Sequence, residues 1–172
     1  LQRSQFMSFI KLIKEFTIEK KLMINDDYRK SKSKKDKRFF YPINEKSNFK
    51  INQLFRKITK DKKCEQKIIF VKGRKFIIKN LFEAVARFDF KDLCEVNIGS
   101  EEYIGLSKIC NHIVIDNVPK FDNYNANAQQ RFIILIDILY EKKISLTVSS
   151  NSLLEKFSSS QMLNIPFKRT LS

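Results

Sequence analysis

Two short apolar runs most constrain this chain: His112-Ile113-Val114-Ile115-Asp116 and residues 144–148 bracket a stretch with Phe132, Leu135, Ile136 and Leu139 at helical spacing. A helix between two buried strands with short joints returns the chain to its starting side, so the strands pair in parallel through a right-handed crossover. Asn127 is placed to cap that helix, which is expected to run through Glu141. The fold class is therefore α/β, with a parallel sheet and flanking helices.

The rest of the chain fits the same class. Phe6, Phe9, Ile10, Ile13 and Phe16 predict an amphipathic helix over about 4–17, and Leu22-Met23-Ile24 a short strand stopped by Asn25-Asp26-Asp27. Ile51, Leu54, Phe55 and Ile58 predict a helix over roughly 47–60. Residues 67–71 and 75–78 flank Lys72-Gly73-Arg74 as a small β-hairpin. A strand is expected at 86–90, with Phe88 and Phe90 facing a core, and Ser100 is placed to cap a helix through Cys110. Leu153 and Leu154 are expected in a short helix after Ser149-Ser150-Asn151. No period of 20–50 residues recurs, which argues against a solenoid.

Charge is unevenly placed. The net charge is +15, yet residues 1–80 hold 24 Lys/Arg against 8 Asp/Glu, while residues 81–151 hold 7 against 10. A uniformly basic nucleic-acid binder would not divide this way. The basic run Arg29-Lys30-Ser31-Lys32-Ser33-Lys34-Lys35-Asp36-Lys37-Arg38 has no apolar residue and reads as an exposed loop. Three uses stay open for it: a solvated loop, a contact with anionic lipid, or a contact with nucleic acid. Cys64, Cys94 and Cys110 form no CxxC pair, and with His112 alone they make no zinc set, which points to a reducing compartment. No apolar run approaches the roughly 20 residues of a membrane span.

The glycines set the sharpest chemical limit. A phosphate-binding loop needs Gly-x-x-x-x-Gly-Lys-Ser/Thr, so that backbone N–H groups cradle the phosphates. Gly73, Gly99 and Gly105 are the only glycines, and none begins such a run. Two strand ends still look like later parts of a nucleotide-binding sheet: Asp116 closes one strand, and Thr147-Val148-Ser149-Ser150-Asn151 closes the next. Asp116 reads either as a ligand-facing carboxylate or as a cap for the turn before Pro119. Asn151 reads as a simple N-cap or turn residue or as a functional polar group at the strand end, His112 as a hydrogen-bonded strand residue or a catalytic base, and Arg87 as a nucleotide or interface contact or one half of an interior ion pair.

Collinear motifs carry a resemblance. Leu1-Gln2-Arg3, Phe6-Met7-Ser8-Phe9-Ile10, Asp27-Tyr28-Arg29 and Gly73-Arg74 come first. Ala86-Arg87-Phe88-Asp89-Phe90-Lys91-Asp92-Leu93-Cys94, the segment from His112 to Pro119, the segment from Arg131 to Tyr140, and Arg169-Thr170-Leu171-Ser172 follow in order. In that order they resemble the C-terminal half of the ZapE-type AAA+ ATPases, bacterial cell-division proteins with relatives at the mitochondrial inner membrane. Ser8 and Asn97 stand where that family usually has proline.

The resemblance implies a partial P-loop NTPase fold without its Walker A loop, from a chain clipped at both ends. Residues 1–27 would end the N-terminal AAA+ core, 28–80 would hold the basic loop, helix and hairpin, and 81–172 the C-terminal α/β portion. It implies an ATPase that uses ATP and Mg2+ in its full-length form, this portion alone binding neither. Arg3 is the implied arginine finger, with Asp116 a further catalytic candidate and Arg131 and Arg169 candidates for a nucleotide or interface contact. A homo-oligomer is implied, with a protein partner in cell division or at the inner membrane and a cytoplasmic setting, mitochondrial if the source is eukaryotic. Lipid contact through residues 29–38 fits that setting better than nucleic acid. The contrasting possibility is a non-enzymatic basic module docking on nucleic acid or anionic membrane.

Overall fold

In the computed structural model, residues 38–60 and 62–171 are described. The expected helix at 4–17, the strand at 22–24, Arg3 and all of the basic run except Arg38 lie outside the described residues.

The described part is built on one six-stranded sheet with order β1-β6-β5-β4-β3-β2. Its strands are β1 (Phe39–Phe40), β2 (Glu65–Val71), β3 (Arg74–Phe82), β4 (Val85–Asp89), β5 (His112–Val118) and β6 (Ser145–Ser150). β1, β6, β5 and β4 run in parallel, while β3 pairs antiparallel with β4 and β2 with β3. The hairpin thus extends the parallel sheet instead of standing apart from it. Its turn is Lys72-Gly73, both at positive φ (48° and 79°), the geometry of the primed two-residue turns that match strand twist.

Helix α1 (Glu45–Thr59) covers one face of the sheet. It begins at Asn44, whose side chain accepts from Ser47 N at 2.9 Å while Ser47 Oγ accepts from Asn44 N at 3.0 Å. Those two bonds satisfy donors that the first turn leaves unpaired. Ile51 of α1 packs with Phe40 and Val114 in a small core on this side. The larger core lies on the other face, beneath α2 (Ser100–Ser107), α3 (Ala126–Glu141) and α4 (Asn164–Leu171). At its centre Phe121 meets Phe90, Phe132, Phe157 and Phe167 with ring centroids 5.3–6.2 Å apart. Tilted and edge-on rings at that spacing add to the burial itself.

Strand alternation explains the two faces. Ala86, Phe88 and Phe90 point into the large core, as expected, and Val85, Arg87 and Asp89 take the opposite side. Gly105 lets α2 lie close on the hairpin: a Cβ there would sit 3.1 Å from Ile69 Cδ1 and 3.2 Å from Val71 Cγ2. Two caps differ from expectation. Gly99, not Ser100, is the N-cap of α2, and Glu102 Oε2 reaches back to Gly99 N at 2.9 Å; the helix closes at Ser107, short of Cys110. Asn125, not Asn127, precedes α3, because its side chain is already engaged with Asp122 N and Lys120 O and fixes the chain there. Leu154 opens a single 3₁₀ turn, Leu154–Lys156, with Leu153 just outside it. Among the described residues no helix is long and apolar enough to cross a membrane.

Candidate functional site at the carboxyl ends of the parallel strands

The ends of β4, β5 and β6 bring together residues far apart in sequence. The register sets Asp89 beside Asp116, and Arg87 beside Val114 two residues earlier. β5 then bulges: Ile115 pairs with Val148 but Val118 pairs with Ser150, so Asp116 and Asn117 face the single residue Ser149. Asn117 takes φ 62°, the left-handed conformation that asparagine tolerates. A bulge of this kind re-aims side chains at a strand end.

The result is a connected polar network on the α1 side. Arg87 Nε donates to Asp116 Oδ2 at 2.5 Å, and its guanidinium donates to Asn52 Oδ1 of α1 at 2.8 Å. The same guanidinium lies 5.1 Å from the Phe55 ring centroid, within cation–π range. Ser149 Oγ donates to Asp116 Oδ1 (3.3 Å) and accepts from Asn117 N (3.1 Å). Asn117 Nδ2 donates to Asp89 Oδ2 at 2.6 Å, and Asp89 Oδ1 accepts from Lys91 N at 3.1 Å. With side chains 24% and 18% exposed, Arg87 and Asp116 are desolvated enough for their pairing to matter. Asn151 lies at the rim, where its Oδ1 accepts from Ile43 N at 3.2 Å and ties the loop before α1 to the end of β6.

Chemically, this cluster is a strand end with two carboxylates, of which Asp116 is paired with Arg87. Asp116 thus joins Arg87 and Ser149 across the strand ends. Arg131 is placed elsewhere, donating from α3 to the Cys94 carbonyl at 3.2 Å. Arg169 on α4 pairs with Asp137 of α3 at 3.2 Å and is largely exposed. No bond joins Asp116, Arg131 and Arg169 to one another or to a shared partner among the described residues. Asn52, Asp89 and Asn117 were not singled out from the sequence. Asp89 had a signal, since it ends a strand just as Asp116 does, but Asn52 had none before α1 was placed on the sheet.

Cys94, Cys110 and His112 are held inside the fold. Burial pushes the Cys94 and Cys110 thiols up to about 12, which keeps them protonated and unreactive. His112 bonds Thr147 Oγ1 at 2.9 Å, and burial, with Arg38 nearby, lowers its pKa below the usual histidine value. A base with a depressed folded pKa stabilises the fold above its unfolded value near 6.5, and that stability is lost as pH falls below it. Urea unfolding midpoints should therefore drop between pH 7 and pH 5, and His112→Gln should flatten that part of the profile; an unchanged profile would show that the imidazole is not linked to folding. No group of three or more His, Cys, Asp or Glu is gathered to hold a metal among the described residues.

Comparison with known proteins follows the same outline. A sequence profile of the AFG1-like ATPases matches residues 1–172. The chain is 25% identical over 159 residues to lactation elevated protein 1 homolog B of Danio rerio, covering 91% of this chain and 32% of that protein. It is 30% identical over 152 residues to an uncharacterized protein of Schizosaccharomyces pombe (87% and 34% covered). Over 172 residues it is 23% identical to the cell division protein ZapE of Escherichia coli K12 (100% and 46% covered). It thus spans less than half the length of these curated relatives. No solved structure matches it significantly. With a profile match from first residue to last on an α/β sheet of the expected kind, the chain belongs to the AFG1-like ATPase family.

Proposed function

We propose that this chain is the downstream portion of an ATP-hydrolysing AAA+-type machine, acting with a phosphate-binding loop encoded upstream. The observation that carries this reading is the family match over all 172 residues, in a sequence with no Gly-x-x-x-x-Gly-Lys-Ser/Thr run. Asp116 bonds Arg87 and Ser149, which supports reading it as part of the sheet's own polar network. In this reading ATP and Mg2+ are held by the upstream core, and residues 1–27 close that core. Arg3 reaches the γ-phosphate bound by a neighbouring subunit of a homo-oligomer. Arg131 and Arg169 are the residues offered for a nucleotide or subunit contact, and the strand-end network holds β4, β5 and β6 in register. The work is on a protein partner, in cell division as the name of the Escherichia coli relative says of that protein. A cytoplasmic setting, or one peripheral to an inner membrane, accompanies it.

The test is the coding sequence just upstream, followed by an ATP turnover assay on the protein it encodes. The expected result is an open frame carrying Gly-x-x-x-x-Gly-Lys-Ser/Thr and Asp-Glu, and magnesium-dependent hydrolysis. A clean start at Met7 with no such frame would overturn it and favour a non-enzymatic basic module.

A further inference from the structure

β2 is the outer strand of the described sheet, next to β3. Among the described residues β2 pairs only with β3, which leaves its other side as an open ladder there. The two-residue turn closes on the Val71–Arg74 pair, and hydrogen-bonded pairs alternate from there. That alternation leaves the backbone N–H and C=O of Ile68 and Phe70 directed outward. Their side chains are exposed as well, at 42% and 74%, on the face opposite Gly105 and α2. Exposed strand edges of this kind are ordinarily blunted, because they pair readily with another chain.

Charge indicates what such a chain would carry. Residues 62–79 hold seven Lys or Arg and a single acidic residue, Glu65. Lys62, Lys72, Arg74 and Lys79 are matched by Glu83, Glu101, Glu102 and Asp92. Lys63, Lys67 and Lys75 have no acidic partner among the described residues. Lys75 lies directly across from Phe70, and Lys67 precedes Ile68 on the other face.

We propose that the free edge of β2 binds an extended acidic segment of a protein partner as a seventh strand. Main-chain bonds to Ile68 and Phe70 supply affinity, and alternate apolar side chains cover those two residues. Carboxylates on the segment's opposite face meet Lys67, and they select it over neutral or basic segments.

The test uses the full 172-residue chain and a fluorescently labelled synthetic peptide of alternating glutamate and valine, with a lysine–valine peptide as control. Anisotropy should report binding of the acidic peptide alone, weakened by salt. Phe70→Glu and Lys67→Glu should each weaken it about tenfold or more. Ile68→Pro, which removes an outward N–H without touching the β3 ladder, should do the same. Phe49→Glu, at an exposed apolar position on α1, should leave it unchanged. Circular dichroism checks that each variant is folded. Equal binding of both peptides, no binding by the folded chain, or insensitivity to Phe70→Glu would overturn the proposal. So would Phe70-dependent self-association in sedimentation, which would make a second copy the occupant.

Discussion

Replacing Arg3 with alanine in the full-length protein is expected to lower kcat by about a thousandfold or more while leaving ATP affinity nearly unchanged. The expectation follows from the transition state of phosphoryl transfer. Charge spreads over the equatorial oxygens of the γ-phosphoryl group as the bond to the leaving oxygen loosens, and a guanidinium offers a planar fork of donors that stays charged at any working pH. A contact made mainly in the transition state moves kcat and not binding. Arg3→Lys should recover little, because an ammonium is a point charge that cannot match two oxygens at once. Turnover of Arg3→Ala can be measured beside nucleotide binding, and mixing it with a subunit that binds but cannot hydrolyse ATP tests action across an interface. Unchanged turnover would remove Arg3 from the catalytic apparatus. A parallel fall in nucleotide affinity would assign it to ground-state binding instead.

How much of this molecule could be read before folding it depended on the range of the interactions involved. The β5–α3–β6 unit was legible because its apolar periods change from strand to helix to strand within one local stretch. The Lys72-Gly73 turn was legible because only a few residues accept positive φ cheaply. The turn joining β3 to β4 was not, since Glu83-Ala84 carries no glycine or asparagine although Glu83 sits at φ 57°. Without that turn, the sequence shows only residues 75–78 of β3 and gives no sign that the hairpin continues the parallel sheet. Cap positions slipped by one or two residues where several capping residues cluster, as at Asn123, Asn125 and Asn127. There the tertiary bond of Asn123 Oδ1 to Gln161 N helps decide the chain's path. The polar network was the least legible feature. Arg87 and Asp116 are 29 residues apart, and only the parallel register of β4 with β5 and the bulge at Asn117 bring them together.

That network makes the second large prediction a matter of stability. Asp116→Ala is expected to destabilise the chain by about 2–3 kcal/mol, since it leaves the Arg87 guanidinium without its counter-charge and removes the acceptor used by Ser149. The figure lies below the roughly 3–5 kcal/mol typical of a fully buried pair because water still reaches part of both side chains. Arg87→Met keeps an apolar stem against Phe55 but loses the hydrogen bonds to Asp116 and Asn52, so it should destabilise the chain as well. The double variant should be no less stable than Asp116→Ala alone, because the stranded cation is gone; the cycle should give a coupling of about 1–2 kcal/mol. Urea unfolding of the four proteins measures it. Strict additivity would mean that Asp116 and Arg87 do not act as a pair. That outcome would also free the carboxylate for a ligand, whereas strong coupling makes it the counter-charge that holds β4, β5 and α1 together where the parallel strands end.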